Sequence, residues 1–193
     1  MAKPAHFAAA GKKLRRRESY GKDSKLVCDA GPHRYGRKYL HTVQEGYWED
    51  ILENCFLPRY EEKRKIWGEW KILKKLLFPG YVFVISDDID QLYQKLKKVI
   101  GLTKLIGTGK EIIPLTEEEV RLLMKFGGEE QIVAMSKGII EGSKVIINSG
   151  PLKGMEGYIR KIDRHKRKAY LEVPMFNGMQ NIQVGLEIVS KRI

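Results

Sequence analysis

Cysteine is scarce. Two in 193 residues, Cys28 and Cys55, rule out a disulfide scaffold and fit a reducing compartment. Long apolar runs are missing too: Leu76-Leu77-Phe78 and Tyr81 to Ile85 fall far short of a membrane span. Met1-Ala2-Lys3-Pro4 opens no apolar stretch of secretory length, so a cytoplasmic protein with no membrane partner is expected. His6, His33, His41 and His165 show no metal-ligand spacing with the cysteines, and neither a metal nor a cofactor is expected. Gly107-Thr108-Gly109-Lys110 is only a fragment of a phosphate loop. It lacks the first glycine at the required distance, and Glu111 stands where a hydroxyl residue belongs. Asp87, Asp88 and Asp90 read as a helix cap. With no candidate base tuned by a partner, no catalytic residue is assigned and no enzyme is expected.

Acidic residues are the scarcer charge, 24 against 36 basic, for a net +12. Residues 1–48 carry 11 basic and 4 acidic side chains, residues 49–137 carry 15 of each, and residues 138–193 carry 10 and 5. Basic ends around a neutral middle point to polyanion contact, most often nucleic acid, because lysine and arginine release counterions from phosphate. A content of 42% apolar and 31% charged residues is that of a soluble globular chain with material for a core.

From Ile51 onward the pattern is α/β. Phe56 to Trp67 and Trp70 to Leu77 read as hairpin arms about Gly68, and Tyr81 to Ile85 as an apolar strand. Ile89, Leu92, Tyr93, Leu96 and Ile100 fall at helical spacing. A short strand is expected around Glu111 to Ile113. Thr116 with Glu119 forms a capping box that opens a helix with Val120, Leu123 and Met124 on one face, stopped by Gly127-Gly128. Residues 128–138 read as a linker. Beyond it, Val145–Ile147, Gly157–Ile162, Lys168–Val173, Ile182–Val184 and Ile188-Val189 suit a small bent β-barrel.

Two motifs carry the functional reading. Gly142 to Ile162, with Gly150-Pro151-Leu152-Lys153-Gly154 between two strands, resembles the KOW motif, its glycines serving a sharply bent barrel. Phe78-Pro79-Gly80-Tyr81-Val82-Phe83-Val84 lies upstream of it. Together they resemble the NusG family of transcription elongation factors over about residues 50–193. Arg164-His165-Lys166-Arg167-Lys168 and Val184-Gly185-Leu186-Glu187-Ile188-Val189 look most like its LoaP-type antiterminators. The resemblance implies an α+β chain, an RRM-like α/β NGN domain over 48–127 followed by an SH3-like KOW β-barrel over 139–193.

It also implies function by binding, as a monomer that favours processive antitermination. Phe78, Pro79, Tyr81 and Phe83 would dock on the clamp helices of the large catalytic subunit of RNA polymerase. Phe176 would present an aromatic to a KOW partner, a ribosomal protein or termination factor. The basic run Arg164, His165, Lys166, Arg167 and Lys168 falls on a hairpin loop where its cations can bridge phosphates of nascent RNA, with Lys153 joining the same patch. The alternatives are an RNA-binding protein of the ribosomal KOW type and an inactive remnant in which only the KOW domain folds.

One departure stands out. The family's first strand, roughly Trp-Tyr-Val, with its turn and helix, is absent from residues 1–47, which form an irregular basic segment. Read one nucleotide later, the codons for Leu26 to Lys38 permit Trp-Tyr-Val-Met-Gln-Val-Arg-Thr-Gly-Thr-Glu-Glu. We therefore expect a wrong-frame segment, from a frameshifted gene or a sequencing error, with the NGN domain incomplete.

Overall fold

A computed structural model of the chain describes residues 25–30, 52–86, 88–96, 104–105 and 114–192. The strands are β1 (Lys25–Ala30), β2 (Leu52–Phe56), β3 (Arg59–Ile66), β4 (Glu69–Leu76), β5 (Tyr81–Ser86) and β6 (Lys104–Leu105). Helices α1 (Ile89–Leu96) and α2 (Glu117–Gly127) are the helices of the first domain among the described residues. β7 (Ile132–Val133) leads into the second, built from β8 (Ser136–Glu141), β9 (Lys144–Ser149), β10 (Ile159–Asp163), β11 (Lys168–Met175) and β12 (Gly178–Arg192).

The first sheet has the order β2-β5-β1-β6. The apolar run Tyr81 to Ile85 takes a central place because its strand is paired on both edges, by β1 and by β2. β1 is the strand expected to be missing. Lys25–Ala30 pairs antiparallel with β5, Val27 opposite Val84 and Cys28 opposite Phe83, and also with β6. This corrects the expectation of a sheet without its inner strand: a ladder is made by backbone groups and does not need the family's aromatic residues. The strand falls on the same residues from which the shifted reading would have produced one. The helix expected to be absent with it, and the expected strand around Glu111 to Ile113, lie outside the described residues.

α1 begins as its spacing predicts, with Asp88 Oδ1 accepting the Gln91 N–H at 2.9 Å and Leu92 fully buried. The β3–β4 hairpin is in register from Arg59 opposite Leu76 to Ile66 opposite Glu69. It turns on Trp67 and Gly68, both at positive φ (48° and 85°). The expected linker over 128–138 is mostly structured. β7 adds a parallel strand to β3 and β8 begins at Ser136, leaving Ala134 and Met135 between them.

The second domain is a five-stranded sheet of order β10-β11-β12-β8-β9. Its core shows in the alternation of β11, where Ala169, Leu171, Val173 and Met175 are buried. The two short strands expected near Ile182 and Ile188 are one continuous β12, which pairs with β11 through Gly185 and then with β8 from Leu186. In the KOW turn, Gly150 (φ 98°) lies against Ser136, whose Oγ accepts the Leu152 N–H at 3.1 Å; a Cβ there would collide with the serine. Gly157 has no such crowding, so its glycine is not needed for the turn.

Candidate functional site

The site is built around the turn that enters β5. Tyr81 N–H donates to the Phe78 carbonyl at 3.2 Å, with Pro79 second and Gly80 third at φ 94°, the residue types such a turn requires. Phe78 is thereby buried, Pro79 exposed and Tyr81 half-buried. Phe83 points into the core with no exposed surface and stacks on Phe56 at 5.5 Å, with Phe78 tilted against it at 5.7 Å. Of the expected docking residues, then, Phe78 and Phe83 are buried in this arrangement, and Pro79 and Tyr81 reach the surface.

What covers this aromatic ridge is Phe176. It occupies the two-residue turn between β11 and β12, where Phe176 and Asn177 both have positive φ (59° and 57°). Its ring stacks on Tyr81 at 4.6 Å and 15°, meets Phe78 edge-on at 5.6 Å, and reaches Phe83 at 6.0 Å. These are attractive aromatic geometries. The turn leaves the Phe176 N–H outside the strand ladder, and Glu119 Oε1 accepts it at 2.6 Å. The other carboxylate oxygen of Glu119 closes the capping box on α2, accepting the Thr116 N–H at 2.7 Å. One carboxylate thus caps a helix of the first domain and fastens a turn of the second. The two surfaces assigned from sequence to different partners are packed on each other.

An ionic seam runs beside the rings. Glu62, on β3, is buried and pairs with Lys75 at 2.8 Å and with Lys168 of the second domain at 3.1 Å. Burial pushes its carboxyl up, but the hydrogen bonds and charges of Lys75 and Lys168 outweigh this and hold it below the usual range. Tyr60 donates to Glu62 at 3.4 Å, and its hydroxyl is pushed up to about 12, first by burial and then by the Glu62 charge. Glu187 pairs with Lys63 at 3.2 Å and with Arg167 at 3.0 Å. The Arg167 guanidinium lies 3.6 Å above the Trp70 ring. Gly185 allows this closeness, since a Cβ there would strike Met135 and the Glu61 carbonyl.

The seam divides the basic run. Arg164, His165 and Lys166 are exposed on the β10–β11 turn, where Asp163 Oδ1 accepts the Lys166 N–H at 2.9 Å. Arg167 and Lys168 turn inward to the carboxylates just described. Lys153 is exposed on the turn before β10, whereas Arg164 follows β10. Sequence reasoning missed Glu62, Glu119 and Glu187 as seam residues; only Glu119 carried a local signal, its capping box.

Residues 33–124 match the family described as transcription termination factor NusG. The match begins ahead of residue 48 and takes in Phe78 to Val84, upstream of the KOW motif. The chain is 30% identical over 139 residues to the transcription termination/antitermination protein NusG of Staphylococcus epidermidis, covering 70% of this chain and 75% of that one. With the Borreliella burgdorferi NusG it shares 26% over 160 residues, 77% and 86% of the two chains. A solved structure titled for domain interaction in Thermotoga maritima NusG matches with a TM-score of 0.56 at 21% identity, over 86% of this chain and 94% of that one. These names are those of transcription factors. Among the described residues no helix is long and apolar enough to cross a membrane. An NGN-like sheet with an aromatic ridge, a KOW barrel after it, and relatives at this identity and coverage place the chain in the NusG family of transcription termination/antitermination proteins.

Proposed function

We propose that the chain is an elongation factor that binds RNA polymerase through Phe78, Pro79 and Tyr81 and favours processive, antiterminating transcription in the manner of the LoaP-type branch. The clamp helices of the large catalytic subunit are the docking partner. The KOW domain contacts nascent RNA through Arg164, His165 and Lys166, and Phe176 serves a further protein partner. The observation that carries this reading is the stacking of Phe176 on Tyr81 at 4.6 Å: the ridge is apolar enough to need a cover, and its cover is a turn from a separate barrel. Polymerase and the KOW turn then compete for one face, and docking requires the barrel to leave.

The competition gives the test two signs. Tyr81→Ala removes a docking side chain and lowers co-purification of polymerase, while Phe176→Ala frees the ridge and raises it. Phe83 is left untouched because its truncation would damage the core. Co-purification unchanged by Tyr81→Ala, or lowered by Phe176→Ala, refutes the proposal.

A further inference from the structure

The β3–β4 hairpin projects an aromatic and basic surface that the docking ridge does not use. Trp67, at its tip, is 94% exposed; Ile72 is 56% and Trp70 45% exposed. Directly opposed residues of an antiparallel pair share a face, so Trp70, Ile72 and Lys74 lie on one side with Lys65 and Lys63 opposite the first two. Residues 59–76 hold seven basic and three acidic side chains, an excess hidden in the neutral average of the middle segment. All three acids are already engaged, Glu69 with Lys71 at 3.6 Å. Glu62 is buried in its ion pairs, and Glu61 accepts the Met135 N–H at 3.0 Å. Among the described residues no carboxylate pairs with Arg64, Lys65 or Lys74.

The tip is also costly. Trp67 has φ 48°, in the left-handed region that suits glycine or asparagine, yet it carries the largest side chain there is. Neither core packing nor turn preference accounts for a tryptophan held in that conformation with its ring in solvent. Cations stand over both rings, Lys71 at 6.0 Å from Trp67 and Arg167 at 3.6 Å from Trp70.

We propose that this hairpin binds single-stranded RNA, with a base stacked on Trp67 and phosphates held by Lys65 and Lys74. An exposed indole beside Lys65 and Lys74, which pair with no carboxylate among the described residues, suits unstacked bases on a charged backbone; a duplex hides its base faces. Arg167 joins the hairpin to the turn of Arg164, His165 and Lys166, so one strand can run across both domains. The choice of RNA rests on the reading of that turn given above.

The test is fluorescence anisotropy of a labelled single-stranded 12-nucleotide RNA of mixed sequence with the full chain, over a salt series. Trp67→Asn removes the ring and installs a residue that accepts positive φ, so thermal stability holds or rises while binding weakens about tenfold. Lys65→Ala with Lys74→Ala flattens the dependence of log K on log salt by about 1.4, roughly 0.7 for each phosphate contact. Unchanged binding in Trp67→Asn overturns the proposal, as does a duplex or a DNA strand of the same sequence bound equally tightly. Arg164→Ala with Lys166→Ala keeps the two readings apart. Loss there alone leaves the turn standing and the hairpin refuted; loss in the hairpin variants alone does the reverse.

Discussion

Truncating Phe176 should open the molecule. Its ring meets three aromatic rings of the other domain, at 4.6, 5.6 and 6.0 Å. A buried phenylalanine changed to alanine costs about 3–5 kcal/mol, and Phe176 is half-buried, so the low end near ~3 kcal/mol applies. Alanine keeps a Cβ, so the cost of positive φ at this turn is little altered and the barrel keeps its own stability. The loss then falls on closure, and the closed-to-open ratio drops about a hundredfold at 1.4 kcal/mol per factor of ten. What remains is the Phe176 N–H to Glu119 bond and the ion pairs of Glu62 and Glu187. The Lys63–Glu187 pair is partly exposed and is worth at most about 1 kcal/mol. Two measurements check this. Small-angle scattering should show a radius of gyration a few ångströms larger, against about 16 Å for a compact chain of 193 residues. Nitrogen–proton correlation spectra should show shifts at Trp70 and Gly185, seam residues that do not touch Phe176. An unchanged radius with unmoved Trp70 and Gly185 signals would refute the reasoning.

Three more expectations concern other parts of the structure. Because the folded Glu62 carboxyl is held below its ordinary value of about 4.3, its contribution is present above that pH and is lost as pH falls through the lowered value. Acid should therefore loosen the seam, and Lys168→Ala should blunt that dependence in the same scattering measurement; an identical acid profile would exclude the pair. Phe83→Ala, at a position with no exposed surface, should cost about 3–5 kcal/mol in denaturant unfolding of the first domain, and a cost below about 1 kcal/mol would contradict its place in the core. Gly185→Ala should disrupt the approach of β12 to β3 while leaving the barrel folded, read as the same Trp70 shift that Phe176→Ala produces.

Sequence by itself determined the local elements. Apolar period, turn residues and caps set the β3–β4 hairpin, the strand from Tyr81, both helices and most barrel strands, because each depends on neighbours a few residues away. It also determined the motif pair that identifies the family. It did not show that Lys25–Ala30 would complete the sheet, since backbone pairing on both edges needs no alternating pattern of its own. Nor did it show β12 as one strand, whose two halves differ in partner and so in the pattern of buried residues.

Tertiary structure alone decided what covers what. Periodicity marks Tyr81 and Phe176 as apolar without saying that they stack on each other, because 95 residues separate them and only the packing of two domains brings them together. The same packing turned Arg167 and Lys168 from a solvated charge run into partners of Glu187 and Glu62. It gave Glu119 a second bond beyond its helix cap, because a carboxylate has two oxygens and the capping box leaves one free for whatever donor the fold delivers.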